Sequence, residues 1–194
     1  MSADFNETGR FFLELDALKH VERQSYITAP RRYENSAEHS WHLAMACWAL
    51  AERYALAVDE GKLLKLALIH DLGEIDAGDT FLYADNRRSA HHAERAGIAR
   101  LAGHTGCDIS DLAALWEEQE TGHSIEVKLL KAVDRLLPFL LNIANEGGSW
   151  QQHRIKRSQV MTAMAFIDND FPEIHTWIEQ QVQIAVHNGW LIDA

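Results

Sequence analysis

Three prolines, Pro30, Pro138 and Pro172, are the only ones in 194 residues. Between them apolar side chains recur at intervals of three and four, with few alternating β-branched runs. That pattern buries one stripe of a helix and gives a strand no consistent inner face. It predicts helices over about 9–22, 36–55, 59–72, 88–104, 109–120, 124–145, 150–168 and 172–188. Gly147-Gly148 separates two of these, and Asn188-Gly189 supplies a stop. Residues 76–87 are the longest stretch without helical pattern and are expected to form a loop. No repeat or composition break marks a second domain. The expectation is an all-α fold in a single domain over 1–194.

Composition closes off several classes. At 47% hydrophobic and 24% charged the chain is an ordinary globular sequence. No apolar run approaches the roughly 20 residues that span a bilayer. The N-terminal MSADFNETGRFF lacks the basic start and apolar core of a signal peptide. Cys47 and Cys107 are the only cysteines, and they form no CxxC pair. This suits a reducing cytoplasm and argues against a disulfide framework or a thiolate zinc site. A net charge of −11 disfavours nucleic-acid binding. It leaves room for a small anionic substrate, because clustered cations can reverse the field inside one cleft.

Against this apolar background a few polar residues fall in the wrong places. Val127, Leu130, Asp134, Leu137 and Leu141 share one helix face, so Asp134 stands where a leucine is the default. Asn35 and Glu38 have the spacing of a capping box. The helix they start puts His39 on the face of Leu43, Ala46 and Leu50. In LALIHDLGEIDAGDT an apolar helix runs straight into His70-Asp71, and Gly73 allows it to end or bend there. Burying such groups unpartnered is costly. A divalent metal answers all of them: two imidazoles and two carboxylates form an N2O2 set whose ion offsets the buried anions. Without thiolates the site is expected to keep open positions for water and substrate.

These residues resemble the motif of the HD-domain metal-dependent phosphohydrolases: a histidine, a later His-Asp pair and a distant Asp. The segments AEHSWHLA, LALIHDLGEIDAGDT and KAVDRLLP carry the likeness over roughly residues 10–170. They are most similar to the branch of small single-domain HD proteins that includes the YfbR-type 5'-deoxynucleotidases. The resemblance implies a helical HD fold, one divalent metal per chain (Co, Mn, Mg, Zn or Fe), and hydrolysis of a nucleoside 5'-monophosphate. It implies His39, His70, Asp71 and Asp134 as metal ligands, Glu74 and Asp79 as catalytic acids, and Arg23 as the phosphate-contacting arginine. A homodimer is implied as well. Relatives often carry an aromatic beside that arginine; here Gln24 and Ser25 follow, and Tyr26 comes third.

Glu74, four residues after His70 and three after Asp71, can orient or deprotonate the attacking water, or return a proton to the departing sugar oxygen. Asp79, after Gly78, suits a sugar hydroxyl or the leaving oxygen, whereas Asp76 reads as a solvated loop acid. Arginine's fork matches phosphate oxygens, and Arg31 and Arg32 lie close to Arg23 in sequence. His42 reads as packing beside Trp41. The alternatives are a dinuclear HD oxygenase or phosphodiesterase recruiting His91, His92 or His104, and a non-catalytic nucleotide-binding module. Two metals per chain would mark the former, and absence of turnover the latter.

Overall fold

The computed structural model describes residues 5–29, 31–84 and 87–194. Its helices are α1 (Phe5–Asp16), α2 (Ser36–Arg53), α3 (Glu60–Ile69), α4 (Glu74–Ala77), α5 (Arg87–Ala102), α6 (Leu112–Thr121), α7 (Ile125–Ala144), α8 (Gly148–Gln152), α9 (Arg157–Met164) and α10 (Pro172–His187). The strands β1 (Glu22–Tyr26) and β2 (Tyr33–Asn35) pair in a small sheet. The fold is thus all-α with one short hairpin. The chain forms two compact units, Met1–Arg23 with Asn35–Leu130, and Gln24–Glu34 with Lys131–Ala194.

The first unit is built around Phe11, Leu18, Ile69, Leu72, Ile98, Leu101, Leu112 and Trp116. Helix α2 starts where its sequence says it should. The Asn35 side chain accepts from the Glu38 N–H, and the Glu38 carboxylate accepts from the Asn35 N–H. Helix α3 is capped by Asp59, whose side chain accepts from the Lys62 N–H. It ends at Ile69, earlier than its periodicity suggests, so His70 is its C-cap and Asp71 lies in the following turn.

The single-turn helix α4 lies against α5 at glycine distance. A Cβ on Gly73 would stand 2.7 Å from the Glu94 carbonyl oxygen and 2.8 Å from its Cα. On the facing helix, a Cβ on Gly97 would meet the Gly73 carbonyl at 3.0 Å. Gly73→Ala is therefore expected to lever α4 outward. The cost is about 2 kcal/mol, a melting temperature roughly 6 °C lower, with Glu74 displaced alongside. Thermal unfolding of the variant checks this; an unchanged midpoint would show that the contact yields freely.

Asp76 is exposed, as the reading of a solvated acid has it, but it lies on α4 rather than in a loop and is paired. Arg100 donates to both its oxygens, at 2.7 and 2.9 Å, and to Glu14 at 2.6 Å, stitching α4 and α1 to α5. Residues 85–86, at the end of the expected 76–87 loop, lie outside the described residues.

In the second unit Phe139 packs edge-on to Trp150 and Trp177 at 5.2 and 6.0 Å. The helix expected over 150–168 is broken: Arg154 turns back at φ 54°, and the chain re-enters a helix only at Arg157. The hairpin was not visible in the pattern because β1 reads Glu-Arg-Gln-Ser-Tyr, with no apolar alternation. Its stability comes from contacts instead. Tyr26 stacks on Tyr33 at 4.6 Å, Arg31 lies 4.6 Å over the Tyr26 ring, and the Tyr26 hydroxyl donates to Gln152 at 2.8 Å. Among the described residues, no helix is long and apolar enough to cross a membrane.

Candidate functional site

His39 stands one turn into α2 and is fully buried. Its ring lies 5.2 Å from that of His70, centroid to centroid. Donor atoms of His39, His70 and Asp71 all lie within 4.8 Å of one another. Ligands roughly 2.1 Å from a common ion stand at most about 4.2 Å apart, so modest side-chain rotation lets all three share one. The local chemistry asks for a cation. His70 Nδ1 lies 2.9 Å from the Ala67 carbonyl, which can only accept, so Nδ1 carries the proton. Nε2 then faces Asp71 Oδ2 at 3.1 Å, and two lone pairs at that distance need a proton or a metal between them. Two imidazole nitrogens and a carboxylate suit a first-row divalent ion. The donor set fits.

Arg23, on β1, is drawn into the same place. Its Nη1 donates to Asp71 Oδ2 at 2.6 Å and lies 3.6 Å from Asp79 and 4.0 Å from Glu74. All four side chains are mostly buried, between 9 and 13% exposed. Burial works to raise the Asp71 pKa, but the His70 ring and the Arg23 guanidinium outweigh it and hold the carboxyl down at about 2. Glu74 goes the other way. Burial, then the Asp71 charge, push it up to about 9, against the pull of Arg23 and a hydrogen bond from Ser36. In the metal-free chain two neighbouring acids are thus set apart, Asp71 ionised and Glu74 protonated at neutral pH.

Asp134 lies in the second unit, on α7. It is half-buried between the buried Val133 and Leu137, and its carboxylate accepts from Arg135 at 2.7 Å. The more distant histidines have other neighbours. His91 pairs with Glu120 at 2.7 Å and leans on Trp116, and His104 packs by Phe11 and accepts from the Gly106 N–H. His42 stacks beside Trp41, as its spacing suggests.

A family model described as HD domain matches residues 15–175. The chain belongs to the HD-domain family. A solved protein from Magnetospirillum magnetotacticum MS-1, described as a predicted metal-dependent phosphohydrolase, is 34% identical with a TM-score of 0.87. The match covers 98% of this chain and 96% of that one. A conserved hypothetical protein from Pyrococcus furiosus, 23% identical, shares the fold at a TM-score of 0.63 over 88% of this chain and 98% of its own. Among curated proteins, the 5'-deoxynucleotidase HDDC2 of Danio rerio is 30% identical over 131 residues, 66% of this chain and 64% of that protein. The Homo sapiens protein of the same name is 27% identical over 130 residues, 65% of this chain and 62% of its own. The chain therefore spans a little under two thirds of the length of these curated relatives.

Three residues of this HD site escaped sequence reasoning. Ser36, the first residue of α2, donates to Glu74 Oε2 at 2.6 Å. Trp116 and Gln119 of α6 both donate to the His70 carbonyl. The buried Ser36 follows a recognisable cap and could have been suspected from it. Trp116 and Gln119 lie more than forty residues from His70, at separations of 46 and 49, and no local signal links them.

Proposed function

We propose that this chain hydrolyses the phosphomonoester of nucleoside 5'-monophosphates, using one divalent metal per chain. The observation that carries the reading is the convergence of His39, His70 and Asp71 donor atoms within 4.8 Å, with Arg23 bonded to the same Asp71 oxygen that faces His70. The names of the curated relatives support a nucleotide as substrate. His39, His70 and Asp71 are the proposed metal ligands. Asp134 is assigned to the set on the strength of the motif alone. When bound, a divalent ion neutralises phosphoryl charge and acidifies a water toward neutral pH.

Around that ion the chain's own groups divide the work. Arg23 turns its fork to the phosphoryl oxygens and fixes their direction. Water attacks phosphorus as the bond to the 5'-oxygen breaks, and Glu74, bonded by the Ser36 hydroxyl, takes the proton of that water and returns it to the departing oxygen. Asp79 accepts from a sugar hydroxyl and so orients the leaving group. We further propose a homodimer, which sedimentation analysis at micromolar concentration tests directly.

The decisive screen offers metal-loaded protein a panel of 5'- and 3'-nucleoside monophosphates, phosphodiesters and triphosphates. Release of inorganic phosphate from the 5'-monophosphates is expected. Turnover confined to diesters, or none with Co, Mn, Mg, Zn or Fe, would overturn the reading. Arg23 gives a finer test. Alanine there removes the cation shared by the mostly buried Asp71, Glu74 and Asp79, so lysine is the cleaner change: it keeps the charge and loses the fork. Arg23→Lys is expected to raise KM about tenfold with a smaller change in kcat, measured by steady-state kinetics; an unaltered KM would remove Arg23 from phosphate binding.

A further inference from the structure

We infer that Gln119 and Trp116 are positioning residues that set the angle between the two adjacent ligands, His70 and Asp71, by holding the peptide group that joins them. The inference rests on the metal reading above. It starts from a geometric difficulty: neighbouring residues on a helix point about 100° apart, yet these two must aim at one ion. The chain ends α3 at Ile69; His70, its C-cap, still holds helical angles (φ −58°, ψ −39°), and Asp71 follows in the turn. The aim of both side chains therefore depends on how the peptide group between them is held. A helix end leaves its last carbonyls without intrahelical donors. The His70 carbonyl belongs to the His70–Asp71 peptide group, so whatever bonds it fixes the plane from which both side chains depart.

Two buried donors do so. Trp116 Nε1 donates to this oxygen at 3.2 Å and Gln119 Nε2 at 3.3 Å. Trp116 is 1% exposed and Gln119 6%. The orientation of the Gln119 amide is fixed by its surroundings. The same nitrogen donates to Glu120 Oε1 at 3.0 Å, and neither a carbonyl nor a carboxylate can offer a hydrogen in return. Glu120 is itself anchored by His91 at 2.7 Å, and the His91 ring rests 5.4 Å from that of Trp116. His70 is thus held at both ends, its ring by Ala67 and its carbonyl by α6. Outer partners of metal ligands act in this way, tuning affinity without touching the ion.

The test is Co(II) titration of metal-free wild type, Gln119→Met and Trp116→Phe, read by affinity and by the visible absorption of bound cobalt. Methionine matches glutamine in volume and phenylalanine keeps an aromatic ring, while each removes one donor. Each variant is expected to weaken Co(II) binding about 10- to 100-fold and to alter the absorption band, with the metal-free melting temperature within about 5 °C of wild type. Wild-type affinity and spectrum in both variants would overturn the inference. So would weakened binding that comes only with a larger fall in metal-free stability, since that marks simple packing. If wild type itself takes up no cobalt, the metal reading has failed, and that outcome is distinct from the other two.

Discussion

Asp71→Asn is expected to lower phosphate release by at least about 10³-fold and to weaken Co(II) binding by about 100-fold. The change keeps the shape of the side chain and removes only its charge. That charge serves three neighbours at once: His70 Nε2 at 3.1 Å, Arg23 Nη1 at 2.6 Å and the ion proposed to lie between the histidines. Its loss leaves Arg23 mostly buried without its nearest anion, which costs about 3 kcal/mol where such pairs are broken from one side. A pH signature accompanies it. The folded pKa of Asp71 lies at about 2, below its ordinary 3.8. A depressed carboxyl contributes stability that is complete above the unfolded pKa and lost as pH falls toward the folded one. Wild type should therefore lose its advantage over Asp71→Asn between about pH 4 and pH 2, in urea unfolding at a series of pH values. A constant gap would mean that Asp71 is not held as an anion.

Glu74 carries the opposite sign. Its folded pKa is raised from 4.5 to about 9, so the unfolded chain sheds this proton first as pH rises. Metal-free protein should lose stability from about pH 4.5 upward, with the loss complete above about pH 9. Glu74→Gln removes this penalty and keeps an acceptor for the Ser36 hydroxyl, which lies 2.6 Å from Glu74 Oε2. The variant is expected to unfold at higher temperature than wild type at pH 8 and at a similar temperature at pH 4.5. The metal-loaded variant is expected to lose about 10²- to 10⁴-fold in kcat with retained cobalt affinity. Near-normal kcat would remove Glu74 from the mechanism. A lower melting temperature at pH 8 would show that its burial is not opposed as described.

What was legible in the sequence follows from how local each cause is. The capping box at Asn35 and Glu38 marked the start of α2 and hence the depth of His39. The greasy approach to His70-Asp71 marked α3 as buried, although the helix ends at Ile69, before the glycine that was expected to stop it. Both signals lie within a few residues of what they determine. The hairpin was illegible because its strands are short and polar and are held by Tyr26, Tyr33 and Gln152, separated by up to 126 residues. The exposure of Asp76 was legible, whereas its pairing with Arg100, 24 residues away, was not. Arg23 was legible as a cation by resemblance. Its burial among Asp71, Glu74 and Asp79 depends on β1, which the helical pattern concealed.

The most direct test of the central claim combines metal content and phosphate release on one sample. Chelator-stripped protein is titrated with Co(II) in the presence of a nucleoside 5'-monophosphate. The account predicts phosphate release that rises with cobalt, saturates at one ion per chain, and vanishes in His39→Ala and His70→Ala variants. Release that ignores the chelator, or survives loss of both histidines, would contradict it.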